Sequence, residues 1–130
     1  MVFDPDVAPR GRKLFMAWYG KQTQWDEPHG YDNPEIPSLA LQSWFSDVIK
    51  TYPPMNGPLR SDDFDDLKVT DFSLGRSVIY AAFAWSEAED AYKHVKNLAA
   101  MHGVGFFDAS GDEADIFVPK LKGELEKTQD

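Results

Sequence analysis

Apolar residues recur at three- and four-residue intervals in two stretches of the chain. In the later one, Ala88, Ala91, Tyr92, Val95, Leu98 and Ala99 form a single stripe at helical period. Ser86 and Glu89 stand just ahead at the spacing of a capping box, in which two side chains satisfy orphan N–H groups at a helix start. Gly103 follows where a left-handed C-cap would close the helix. In the earlier stretch, Leu41, Trp44, Phe45, Val48, Ile49 and Tyr52 mark one face. That helix begins between Pro34 and Ser38, either proline suiting a first turn, and Pro53-Pro54 stops it.

Between and around these helices lie short apolar runs. Leu14 to Tyr19, LFMAWY, is bounded by Lys13 and Gly20 and has the length and content of a buried strand. Leu67 to Leu74 alternates and reads as a strand, and Gly75-Arg76 reads as a hairpin turn. Ser77 to Trp85, SVIYAAFAW, is continuously apolar, which predicts a central strand covered on both faces, with Trp85 at least half buried. Val104 to Ala109 and Ala114 to Val118 complete the set, Pro119 ending the last. Residues 1–13 read as a loosely held arm, 14–118 as one α+β domain and 119–130 as a charged, fraying tail.

The order strand, helix, strand, strand, helix, strand predicts a ferredoxin-like βαββαβ fold with an extra C-terminal edge strand. Both helices then cover one face of an antiparallel sheet. The opposite face is left open, or is covered by the long loops or by a second subunit in a homodimer.

Composition narrows the functions. Four Trp, five Tyr and nine Phe in 130 residues supply enough apolar area for one real core. The net charge of −9 disfavours nucleic acid and anionic membranes and would attract a basic partner, although charge of this sign also simply keeps a protein soluble. There is no cysteine, so thiolate zinc sites and a Cys nucleophile are excluded. The N-terminal sequence MVFDPDVAPRGRK does not resemble a signal peptide, no run reaches the roughly 20 residues of a membrane span, and a cytoplasmic protein is expected.

Several residues are candidates for a site. The loop Gly20 to Asn33 is long and carries Trp25, His29 and Tyr31, unusual content for a spacer. Trp25 either folds back over the sheet or stands exposed to bind. His29, with Asp26 and Glu27, has the chemistry of a proton-transfer group, though a loop histidine is more often merely exposed. Asp62, Asp63, Asp65 and Asp66 surround Phe64 in a second loop. Their spacing lacks the glycine and terminal glutamate of an EF-hand, so no metal and no cofactor is expected. His94 and His102 are two helical turns apart, too far to share a metal. Trp18, Tyr80 and Asp108 could line a pocket on the sheet. No Walker loop, G-x-S-x-G elbow, H-E-x-x-H or dinucleotide fingerprint is present.

The segments TYPPMNGPL, FSLGRSVIYAAFAW and WSEAEDAYKHVKNLAAMHGVGFFD together resemble a signature of small bacterial proteins without an assigned activity, over residues 14 to 118. Some small acidic proteins of that kind are similar in size and charge to immunity proteins of secreted-toxin systems, and the resemblance transfers no catalytic residue. The expected function is a non-enzymatic protein-interaction module for a basic partner, working through Trp25, His29, Tyr31, Phe64 and the surrounding carboxylates. The alternative is a small-molecule-binding protein or enzyme with its pocket at Trp18, Tyr80 and Asp108, and a third reading is a structural subunit of an assembly.

Overall fold

Met1 to Phe3 runs through the middle of a six-stranded antiparallel sheet. The computed structural model describes residues 1–63, 65–111, 113–120 and 123–128. Its elements are β1 (Val2–Phe3), α1 (Arg12–Gln22), α2 (Leu39–Val48), β2 (Asp71–Leu74), β3 (Val78–Ala82), α3 (Ala88–His102), β4 (Gly105–Phe107), β5 (Ile116–Pro119) and β6 (Leu125–Lys127). The strand order is β2-β3-β1-β4-β5-β6, every neighbouring pair antiparallel. This is an α+β protein with an open sheet and three helices.

Alternation of side chains along the strands divides the core in two. Val2, Phe72, Leu74, Ile79, Phe106 and Phe117 face α2 and α3. Those helices contribute Leu41, Trp44, Phe45 and Val48, and Ala91, Val95, Leu98 and Ala99, the stripes visible in the sequence. Small Ala91 and Ala99 let the helices approach, and the Trp44 indole N–H donates to the Val95 carbonyl at 3.3 Å. At the far end of the pair His102 Nε2 and Asp47 Oδ2 lie 2.6 Å apart, and this contact, with Lys50 second, lowers the Asp47 pKa. Gly103 closes α3 at φ 67°, the left-handed cap that its position predicts.

The other face is not open. Phe3, Val78, Phe107 and Ile116 pack there against Phe15 of α1, with Trp18, Tyr19 and Trp25 at the margin. The LFMAWY run is therefore the middle of a helix and not a strand. Phe15, Trp18 and Tyr19 repeat at helical spacing and meet the sheet, while Leu14, just ahead of them, is 62% exposed. Polar Arg12, Lys13, Lys21 and Gln22 extend the helix on both sides, which a reading of the apolar run alone truncates. Arg12 anchors its start by donating to the carbonyls of Glu113 and Ala114, both at 3.0 Å.

Further expectations change with it. The residues read as a loose arm supply the central strand, because Val2 and Phe3 bury almost completely between β3 and β4. The tail read as frayed contains β6, paired to β5 through Phe117↔Lys127 and Pro119↔Leu125. The capping box does not form. Residues 85–87 make a single 3-10 turn, Glu87 takes the N-cap position of α3, and no side chain caps it. No helix among the described residues is long and apolar enough to cross a membrane.

Candidate functional site

β1 is two residues long, and its neighbours outrun it. Val2 pairs with Ile79 and Phe106, and Met1 continues the ladder by exchanging hydrogen bonds of 2.8 and 3.1 Å with Phe107. Beyond Met1, β3 proceeds through Ala81 and Ala82 while β4 passes into the turn at Asp108 to Ser110. A cleft of about 280 Å³ occupies the space between them. Its volume lies at the lower edge of the roughly 300–1,000 Å³ of ligand sites, so it suits a small occupant or one or two residues of a chain.

The walls are aromatic. Phe83, Tyr92 and Phe106 come from the side of α3, with Trp44 and Val95 at the floor, and Tyr80 stands on the strand itself. Tyr92 meets Phe106 edge-on, with centroids 5.3 Å apart. Asp108 is the one charged side chain among the described lining residues, and the Met1 amine, held by burial at a pKa of about 5, is uncharged at neutral pH. Burial raises the Tyr92 pKa first, and the negative charges of Asp108 and Asp115 raise it further. The Asp108 carboxylate also lies against Gly111, where any Cβ would collide with it. Trp85 stands at the mouth and is 94% exposed.

The exposure of Trp85 reverses the sequence reading. β3 ends at Ala82, so residue 85 belongs to the 3-10 turn and points away from the sheet. Trp85, Tyr92, Phe83 and Ala81 line the cleft without having been among the expected pocket residues. Tyr92 counted only as part of the helix stripe, and the one available signal was the onset of helix-start residues at Ser86.

Of the expected pocket residues, Tyr80 and Asp108 line the cleft and Trp18 does not. Trp18 packs on the α1 side against Phe15 and Phe3, with ring centroids 5.6 and 6.2 Å away.

Trp25, His29 and Tyr31 come together as a local assembly on the edge of the α1 face. Trp25 takes a left-handed backbone conformation, φ 54°, and turns its ring to Tyr31 and Tyr80 at 5.2 and 6.4 Å. His29 presents both ring nitrogens to acceptors, the Gly30 carbonyl and Glu27 Oε1, each at 2.7 Å. These contacts raise its pKa, the Gly30 carbonyl most. Glu27 Oε1 also accepts from the Arg76 N–H at 3.2 Å, and the Tyr31 carbonyl accepts from the Leu74 N–H at 2.9 Å. The loop is thereby tied to the β2–β3 hairpin, and Trp25 folds back over the sheet.

In the acidic loop, Asp63 Oδ1 accepts from the Asp65 N–H and Asp66 Oδ1 from the Lys68 N–H, so two carboxylates serve local turns. Asp62, Asp63 and Asp65 are exposed, and Phe64 lies outside the described residues. Among the described residues no three metal-ligating side chains converge.

No protein-family model, no curated protein and no solved structure matches this chain.

Proposed function

We propose that this protein is a binding module whose working site is the cleft between β3 and β4, and that it captures a cationic group on an apolar stem, such as a basic side chain of a protein partner. The observation that carries this reading is the pairing of aromatic walls with a single carboxylate. An ammonium can be held by Asp108 while its stem lies against Tyr92 and Phe83. Exposed Trp85 at the mouth offers a contact anchor, and the overall charge of −9 speeds encounter with a basic partner. An antagonist of a basic secreted toxin is one protein that would use such a site. The loop residues Trp25, His29 and Tyr31 hold the fold at the hairpin in this account.

The fold itself fits a ferredoxin-like frame on the same footing. Strands 71–74, 78–82, 2–3 and 105–107 lie side by side in that order, with helices 39–48 and 88–102 on one face. In this reading α1, β5 and β6 are additions to the frame.

Calorimetric titration with tryptamine and with indole-3-acetate tests the functional reading, since the two share an aryl body and differ in the sign of charge. The amine is expected to bind at least about tenfold tighter, and Asp108→Asn to erase the difference. Equal affinity for the two, or no heat with either, would overturn the assignment.

A further inference from the structure

Charge is spread unevenly along the chain. Residues 7–25 hold Arg10, Arg12, Lys13 and Lys21 and no carboxylate, while the other nine basic and all 22 acidic residues lie elsewhere, +4 against −13. Lys50, Lys68, Lys93 and Lys127, outside that stretch, each stand 3.1–3.8 Å from a carboxylate. Among the described residues none of the four cations at 10–21 forms an ion pair. Arg12 is engaged by the Glu113 and Ala114 carbonyls. Lys13, Leu14, Ala17, Gly20 and Lys21 fall on one side of a helix with about 3.6 residues per turn, and all five are exposed. The outward face of α1 is thus a leucine flanked by two unpaired lysines, with small residues that let another surface come close.

The cleft mouth is its complement. Trp85 stands there almost fully exposed, Asp108 lines the cleft, and exposed Glu89 and Asp90 follow on the first turn of α3. α1 and α3 cover opposite faces of the sheet, so the chain cannot turn the outward face of α1 to its own Trp85. Resting on the binding reading above, we propose that the partner is a second copy of this chain, whose α1 docks across the cleft mouth with Leu14 against Trp85, and with Lys13 and Lys21 toward Asp108, Glu89 and Asp90. A lysine is a cationic group on an apolar stem, the chemistry that the cleft selects. Opposite charges steer the copies together, and contact between Leu14 and Trp85 removes apolar surface from water. The two patches differ, so the pairing is head-to-tail and extends into a chain or ring of copies. A helix face of 11 residues, roughly 16 Å long, makes a small interface, and the association is accordingly weak and salt-sensitive.

Sedimentation velocity of the intact protein over a concentration series tests this. At about 20 mM salt the mean sedimentation coefficient is expected to rise with concentration, and at about 500 mM to stay that of a monomer. Lys13→Glu with Lys21→Glu, and separately Trp85→Ala with Glu89→Lys, should each weaken association by about tenfold or more. Mixed, the two variants should form a one-to-one dimer that grows no further, since each retains the patch the other lacks. Tryptamine should disperse the wild-type assembly by occupying the cleft. A monomer at every concentration, association unaltered in either variant, no dimer in the mixture, or an assembly indifferent to tryptamine would each overturn the inference. A monomer that binds tryptamine would leave the cleft reading standing, and one that binds none would remove both. A monomer that binds duplex DNA or phosphatidylserine vesicles through Lys13 and Lys21 would overturn self-association and give this face to a polyanion.

Discussion

The ring of Phe3 lies directly over Gly105, its cross-strand partner, so closely that a Cβ on residue 105 would overlap it. The ring then meets Phe15 of α1 edge-on, with centroids 4.9 Å apart. One aromatic side chain thus fixes the register of the central strand and seats the helix that covers that face. Gly105→Ala is expected to destabilise the fold by about 1–3 kcal/mol through overpacking, and Phe3→Ala by about 3–5 kcal/mol through the cavity it leaves. Chemical denaturation measures both. Phe3→Leu combined with Gly105→Ala should cost less than the sum of the single changes, because the two sites share one contact. Strict additivity would contradict the stacking of ring on glycine.

Two tryptophans should separate stability from binding. Trp25 packs on Tyr31 and Tyr80, whereas Trp85 is almost fully solvated. Trp25→Ala is expected to lower stability by about 1–3 kcal/mol, and Trp85→Ala to change it by no more than about 0.5 kcal/mol. In calorimetric titration with tryptamine, Trp85→Ala alone should weaken affinity. A destabilised Trp85→Ala variant with intact binding would reverse the roles assigned here.

His29 should report the tethering of its loop as a function of pH. With the Gly30 carbonyl on one ring nitrogen and Glu27 on the other, the imidazolium satisfies both acceptors, so the folded pKa is raised above 6.5. The added stability is fully present below the unfolded pKa, about 6.5, and is lost as pH rises through the higher folded value. Titration of the His29 ring by NMR should give a midpoint above 6.5, and Glu27→Gln should lower it. The Leu74 amide, which donates to Tyr31, should exchange faster above that midpoint than below it. A wild-type midpoint at or below 6.5 would contradict the geometry.

Long periodic segments were legible in the sequence. The stripe of α3 and the glycine cap at Gly103 stand in the structure as the spacing predicts, and that of α2 stands as far as Val48, where the helix ends ahead of Ile49 and Tyr52, because apolar residues recur along the whole of both helices. Short elements were not. LFMAWY is six residues, which strand and helix accommodate equally, and polar flanks carry the helix further. Val2 and Phe3 are two apolar residues before Asp4 and Pro5, and the strands they pair with lie about 80 and 100 positions away. Missing that strand hid the cleft, which lies beside Met1 between β3 and the turn at Asp108 to Ser110. Tyr80 and Asp108, which line the cleft, stood out because an aromatic and a carboxylate within short apolar runs are chemically conspicuous.

Mapping of amide chemical-shift changes on adding tryptamine to the isotope-labelled protein tests the location of the site most directly. Perturbations are expected to cluster at Ala81, Ala82, Trp85, Tyr92, Asp108 and Ser110, which line the cleft. Perturbations centred on Trp25, His29 and Tyr31, or on Asp62, Asp63, Asp65 and Asp66, with the cleft residues unmoved, would contradict it.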